Sequence, residues 1–381
     1  MAPSEATGGG PADPASSVVP EAEHPEHREH SEHPEHPEHA AQFGAQERIL
    51  TLVWGYISSE ILDLATRLDL PDRMGTEERA ATELATALDT DPVATLRLLR
   101  AFASLGLAEE TGTGRFRLTP AGHRLRSDVP DSLHAFVRQG MGVFRQAWSH
   151  FDHSIRTGEP AFDQVFGTDF FSYLSEHPEL SGTFTSSMRE ATRTMSTALA
   201  KEQEYDFSAY GTVVDIGGAD GSLLAAVLGA HPGVQGVVFD SPEGARDAAA
   251  TLGAAGVGER SRVETGDFFT QVPGGGDLYV LKSILHDWSD ARSADILRTV
   301  RAAMPAHARL LIVEVLLPDK VDSSAHPLGY LSDLYMLVNM GGRERSEQDL
   351  RSLLSDTGFR TTRVLTPPGL TPFSLIEAEP A

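Results

Sequence analysis

Hydrophobic positions divide the chain into stretches of different period. Between residues 48 and 70, Ile49, Leu52, Val53, Tyr56, Ile57, Ile61, Leu64 and Leu68 recur at helical spacing, and Leu50, Trp54 and Leu62 widen the stripe. So broad an apolar face calls for more than one partner. Residues 76–126 read as helix, helix and wing. Thr76 and Asp91-Pro92 are helix-start signals, and a strand over 116–118 follows the turn Thr111-Gly112-Thr113-Gly114. Residues 131–200 are mostly helical and collect Phe136, Phe144, Trp148, Phe151, Phe162, Phe170 and Phe171. These aromatics suit either ordinary core or the lining of an aromatic pocket. From Val213 onward the pattern changes to short apolar runs at 212–216, 236–239, 278–281 and 310–315, separated by helical stretches. Strands alternating with helices predict an α/β fold, a mostly parallel sheet with helices on both faces, preceded by the helical, winged-helix region.

Length and composition set the organisation around these elements. A chain of 381 residues exceeds what one core usually organises. The expected division is a tail over 1–42, a helical winged-helix domain over 43–130, a helical pocket segment over 131–200 and the sheet domain over 201–381. The tail is poor in apolar residues and carries histidine at every third position, His24, His27, His30, His33, His36 and His39, each preceded by glutamate. Pro25, Pro34 and Pro37 oppose a helix there. Weak metal binding by the imidazoles is one reading; a solvated, disordered tail is the favoured one. The chain has no cysteine, so disulfides, thiolate metal sites and cysteine nucleophiles are excluded. No run approaches the roughly 20 continuous apolar residues of a membrane span, and the N-terminus lacks the basic start and apolar run of a signal peptide, so a cytoplasmic enzyme with no membrane partner is expected. A net charge of −24 disfavours phosphate backbones. Residues 76–126 carry seven acidic and seven basic side chains, which argues against a DNA-reading winged helix and for a dimerisation module.

The chemistry concentrates in the sheet domain. Its first strand runs into Asp215-Ile216-Gly217-Gly218-Ala219-Asp220-Gly221-Ser222 and then a helix. Glycines admit close backbone approach, and a helix start offers unpaired N–H groups. The loop fails the dinucleotide fingerprint, which needs glycine where Ile216 stands, and it lacks a P-loop ending. An acid opening a glycine loop suits a cationic ligand such as the methionine moiety of a sulfonium cofactor. Asp240 ends the next strand, where α/β nucleotide sites place an acid for the ribose hydroxyls. Asp267 and Phe268 follow the strand after that, an acceptor and an aromatic face for an adenine. Agreement of the three strand-end signals favours a functional reading over turn acids and a core phenylalanine.

The segment Leu281-Lys282-Ser283-Ile284-Leu285-His286-Asp287-Trp288-Ser289-Asp290 resembles the signature of caffeic acid type O-methyltransferases, shared with hydroxyindole and with bacterial polyketide and anthracycline O-methyltransferases. The likeness continues through Asp333-Leu334-Tyr335-Met336-Leu337 and Gly341-Gly342-Arg343-Glu344-Arg345-Ser346 and covers about residue 48 to the C-terminus. It implies a Rossmann-like methyltransferase domain behind a dimerisation domain, S-adenosylmethionine as cofactor, a homodimer, and a small aromatic, polyketide-like acceptor methylated on a hydroxyl without a metal. It also implies that His286 is the general base, that Glu314, ending the strand over 310–313, and Glu344 flank and orient it, that Lys282 touches the cofactor, and that Met336 packs on the acceptor ring, with Trp148 and Phe144 as further candidates for the substrate wall. An imidazole suits that task because its ordinary pKa of about 6.5 lets it take a phenolic proton near neutrality. Two other readings are kept: a diverged S-adenosylmethionine-binding relative with hydroxylase or other activity, and a winged-helix regulator with a ligand-sensing domain.

Overall fold

The computed structural model describes residues 37–321 and 327–381. The histidine repeat from His24 to His36 lies outside them. The chain divides into two compact units between Trp54 and Gly55. A long helix spans Pro37–Arg67, so it begins inside the stretch expected to be tail. Proline at the first helical position loses no hydrogen bond, which is why Pro37 opens the helix instead of opposing it. In the first unit Leu52 and Trp54 are 70% and 62% exposed. The stretch Gly44–Arg67 is long and apolar enough, by length and composition, to cross a membrane. It nevertheless carries Glu47, Arg48, Glu60, Asp63 and Arg67, and its Arg67 Nε donates to Asp63 Oδ2 at 2.9 Å.

The second unit opens with a small three-stranded sheet, β1 Arg79–Ala80, β2 Ala108–Gly112 and β3 Arg115–Leu118, in the order β1-β3-β2. Helices Ala81–Leu88 and Pro92–Ser104 precede the β2–β3 hairpin, the helix, helix and hairpin order read from the sequence. Asp91 caps the second helix by accepting from Ala94 N at 2.8 Å. Leu84, Leu99, Phe102 and Phe116 form its core.

A series of helices follows, ending in the long helix Pro178–Ala200. The large sheet is then built from β4 Thr212–Ile216, β5 Gln235–Asp240, β6 Ser261–Thr265, β7 Leu278–Lys282, β8 Arg309–Leu317, β9 Arg345–Ser346, β10 Phe359–Leu365 and β11 Phe373–Pro380. The strand order is β10-β11-β8-β7-β4-β5-β6, with β9 beside β8. β6-β5-β4-β7-β8 pair in parallel, and β11 and β10 close one edge antiparallel. The mostly parallel sheet of the sequence reading is therefore present, with two additions. β6, the strand placed before Asp267 by its turn, is too short and polar to show as an apolar run, and the β10–β11 edge is not separated by a crossover helix. Because β5 lies on one side of β4 and β7 on the other, the strand order reverses at β4, which opens a crevice beyond the carboxyl ends of these strands.

Candidate active site

The strand-end acids meet at this crevice. Asp215 is buried in β4 and its Oδ2 has no hydrogen-bond partner among the described residues. Burial pushes its carboxyl up to about 7; Lys282 opposes this, while Asp240 and Asp220 add to it. Gly217, the residue after β4, has φ +70, and a Cβ there would stand 2.3 Å from Ile284 Cδ1, so only glycine fits. Its N–H donates to Phe239 O at 2.8 Å, tying the loop to β5. Asp240, at the end of β5, accepts from Ala219 N at 2.9 Å and from Ser241 N at 2.6 Å. Burial still pushes its carboxyl above the ordinary range, against these two donors. Asp267, beyond β6, is exposed and accepts from Phe269 N at 2.9 Å. Phe268 beside it meets Trp288 edge-on at 6.2 Å. Lys282 ends β7 and donates from Nζ to Thr192 Oγ1 at 2.7 Å; burial holds its ammonium below the usual range despite Glu314, Asp215 and Asp287.

A cavity of about 420 Å³ joins these groups: Asp215, Gly217, Asp240, Asp267, Phe268 and Lys282 all line it. The sequence reading missed several other walls. Arg189 and Thr192 reach in from the Pro178–Ala200 helix, and Asp220, Asp287 and Trp288 complete the polar and aromatic surface. Asp220, Asp287 and Trp288 lie in the motifs already singled out, whereas nothing local marks Arg189 or Thr192. An orphaned buried carboxylate oxygen, a glycine with no room for a side chain and an aromatic wall fit a nucleoside bearing a cationic tail.

The cluster around His286 adjoins this cavity through Asp287, which lines it. His286 sits in a single helical turn, Leu285–Asp287, after β7. Its side chain is 16% exposed, and Nδ1 is 3.1 Å from Glu344 Oε1 and 3.7 Å from Glu314 Oε2, while Nε2 is 3.5 Å from Asp287 Oδ1. Burial disfavours the charged ring, yet Glu314, Asp287 and Glu344 together carry the imidazole up to about 10. Asp287 is itself pushed up to about 7 by burial. The ordinary value assumed from residue type is thus displaced by carboxylates that come from three separate parts of the chain.

Each flanking carboxylate is held by its own surroundings. Glu314 was expected at a strand end; it lies within β8, one residue past Val313, the last parallel partner of β7, and the strand continues to Leu317. Its Oε1 accepts from Ile284 N at 3.1 Å and Leu285 N at 3.0 Å, and burial raises its carboxyl. Glu344 is brought in by the Gly341-Gly342 turn. A Cβ on Gly342 would fall 2.0 Å from His286 O, so glycine permits the two segments to pack. Donor atoms of His286, Glu314 and Glu344 lie within 4.8 Å of one another, so the two glutamates that the resemblance sets beside the histidine are brought next to it. Within the group only His286 and Glu344 are hydrogen-bonded, while Glu314 Oε2 stands 3.7 Å from the ring and has no hydrogen-bond partner among the described residues.

The expected substrate residues lie elsewhere. Phe144 is fully buried, with Phe170 at 4.8 Å and Tyr335 at 5.2 Å, and Trp148 packs on Phe151 at 5.0 Å. Met336 is buried in the Leu328–Met340 helix. None of the three lines the 420 Å³ cavity; Phe144 serves as core, the commoner fate of an aromatic.

Residues 148–360 match the O-methyltransferase domain family and residues 50–128 the O-methyltransferase dimerisation domain family. The chain is 90% identical over 380 residues to the O-demethylpuromycin-O-methyltransferase of Streptomyces alboniger, covering 100% of both chains. It is 40% identical over 333 residues to a phenazine O-methyltransferase of Lysobacter antibioticus, covering 87% of this chain and 95% of that one. Among solved structures, an O-methyltransferase of neocarzinostatin biosynthesis in complex with S-adenosylmethionine and 2-hydroxy-5-methyl naphthoic acid superposes with a TM-score of 0.72 at 31% identity, covering 85% of this chain and 96% of that one.

Proposed function

From the premise that this chain belongs to the O-methyltransferase family and is an S-adenosylmethionine-dependent O-methyltransferase, we propose that it acts as a cytoplasmic homodimer on a hydroxyl of O-demethylpuromycin, with His286 as the general base. The observation that carries the choice of acceptor is 90% identity along the whole chain to the enzyme named for that compound. We assign dimerisation to residues 43–130, a pocket segment to 131–200 and the cofactor domain to 201–381; the exposed apolar side chains Leu52, Trp54 and Tyr56 support the first of these.

When bound, S-adenosylmethionine supplies an electrophilic methyl group on a sulfonium. Asp240 would accept from the ribose hydroxyls, Asp267 and Phe268 would receive the adenine, and Asp215, Gly217 and Lys282 would surround the methionine portion. Holding the acceptor oxygen in line with the methyl group contributes much of the rate. His286 presents Nε2 to the acceptor because Nδ1 is committed to Glu344, and it removes the hydroxyl proton, a contribution typically worth about 10² to 10⁴-fold. Glu314 and Glu344 orient the ring and stabilise the imidazolium. Met336 remains a candidate for the acceptor ring. The test is mass spectrometry of purified enzyme with S-adenosylmethionine and O-demethylpuromycin, in which the product gains one CH₂. Failure on that compound with turnover of phenazine or naphthoate phenols would overturn the acceptor assignment and leave the enzyme class intact.

A further inference from the structure

The Leu328–Met340 helix touches the His286 cluster through two consecutive side chains, Ser332 and Asp333, to which no role in the site has been given. Ser332 Oγ donates to Glu344 Oε1 at 2.6 Å, the same oxygen that faces His286 Nδ1 at 3.1 Å. Asp333 Oδ1 accepts from the backbone N–H of Glu344 at 2.9 Å. The helix therefore grips Glu344 at its side chain and at its main chain. The other oxygen, Oε2, is buried and has no hydrogen-bond partner among the described residues, and the Glu344 side chain is 1% exposed. Both donors fall on one carboxylate oxygen and none on the other, an asymmetry that a freely rotating carboxylate would not keep.

We propose that Ser332 is a positioning residue for methyl transfer: its hydroxyl fixes which oxygen of Glu344 faces His286 and shares that oxygen's charge, and so sets how readily the imidazole gives up its proton. The proposal rests on His286 being the base. The charged and titratable groups that bear on the cluster are Asp287 on the turn of His286 itself, Glu314 from β8, Glu344, Asp333 from the helix and Lys282 from β7, with Arg345 acting on Glu314. Serine is the one uncharged donor among these contacts to Glu344 Oε1. Its hydroxyl polarises the carboxylate away from the ring. Without it the full charge of Oε1 faces Nδ1–H, the imidazolium is held more firmly, and the base form appears only at higher pH.

Ser332→Ala separates this role from packing, because alanine is the better helix former and a half-buried serine hydroxyl leaves little void. Turnover is measured against pH for the wild type, Ser332→Ala and Ser332→Thr, with S-adenosylmethionine affinity measured by calorimetry on each. In Ser332→Ala the rise of turnover with pH moves up by about 0.5 to 1 on the pH scale, less than the full contribution of one donor to a charged group because only part of it reaches the ring through Glu344. Cofactor affinity stays at the wild-type value, and threonine, which restores a hydroxyl, brings the profile back. A profile of Ser332→Ala that is unmoved, or that shifts to lower pH because Glu344 has swung away from the ring, overturns the proposal. His286→Ala in the same series distinguishes the two failures. If it keeps nearly full activity, the base assignment falls. If it is inactive while Ser332→Ala titrates like the wild type, only the role of Ser332 falls.

Discussion

Turnover is expected to climb with pH well past neutrality, because the proposed base, His286, is an imidazole that three carboxylates hold protonated. The ring is carried up to about 10 by Glu314, Asp287 and Glu344 against its own burial. A proton held that tightly is kept until the pH nears that value, so the neutral, basic form grows as pH rises. At pH 7 it is about one molecule in a thousand of the ligand-free enzyme, and it gains about tenfold per pH step. Bringing the imidazole from 6.5 to about 10 corresponds to about 5 kcal/mol of preference for the charged form, at 1.36 kcal/mol for each tenfold. A sulfonium in the adjoining cavity repels that charge and lowers the value, so the inflection in kcat lies below the inflection in kcat/KM, which reports the free enzyme. The assay is initial rate against pH from 6.5 to 9.5 at saturating and at low S-adenosylmethionine, with the acceptor held saturating. His286→Ala loses about 10² to 10⁴-fold near pH 8 while its S-adenosylmethionine affinity stays near wild type, and its rate recovers in part as the pH approaches about 10, where a phenol ionises unaided. A wild-type kcat/KM that is flat above pH 7.5, or a His286→Ala enzyme with nearly full activity at pH 7, would refute the reasoning.

Other perturbations test the remaining parts of the site and the assembly. Asp240→Ala should weaken S-adenosylmethionine binding by about 1.5 to 3 kcal/mol for each charged hydrogen bond lost, read by calorimetry; equal affinity in mutant and wild type would remove Asp240 from the cofactor site. Asp215 has its carboxyl raised to about 7 by burial, so it costs the folded, ligand-free protein stability as pH rises from about 4 through 7. Asp215→Asn should accordingly raise the melting temperature at pH 8, with the gain shrinking towards pH 5, while cofactor affinity falls; a gain that does not depend on pH would contradict the burial argument. Glu314→Gln should lower turnover less than His286→Ala does and move the pH profile downward, since one of the charges that raise the imidazole is gone. Light scattering at micromolar protein should give about twice the chain mass of 41.0 kDa, and removing residues 1–36 should change neither that value nor turnover; a clean monomer would refute the dimer.

What could be read from the sequence, and what could not, divides by whether the determining contact is local. Asp215, Asp240 and Asp267 each sit at or just beyond the carboxyl end of a strand, so period and turn chemistry find them, and all three line one cavity. The same logic misjudged Glu314, because an apolar run says where a strand's buried part stops and not where its pairing stops: β8 continues past the edge of β7 and pairs with β9 through Leu316 and Leu317. Aromatic clustering over 131–200 was ambiguous for a related reason. Side-chain type cannot tell a wall from a core, and Phe144 went to the core while Phe171, on the same stretch, lines the cavity and stacks on Trp288 at 5.1 Å.

The property of His286 that governs its chemistry was the least accessible of all. A motif identifies an imidazole and residue type assigns it about 6.5, but the protonation it adopts is set by Glu314, 28 residues further along on β8, and by Glu344, delivered by a glycine turn and held by Ser332. Each of those contacts is an accident of sequence and a consequence of fold. The reaction needs a ring that accepts a proton beside a cofactor that brings a positive charge. A cluster of carboxylates that holds the ring protonated would therefore be physically useful: it would attract a cationic cofactor, and that positive charge would weaken the ring's hold on its proton at the moment a base is required.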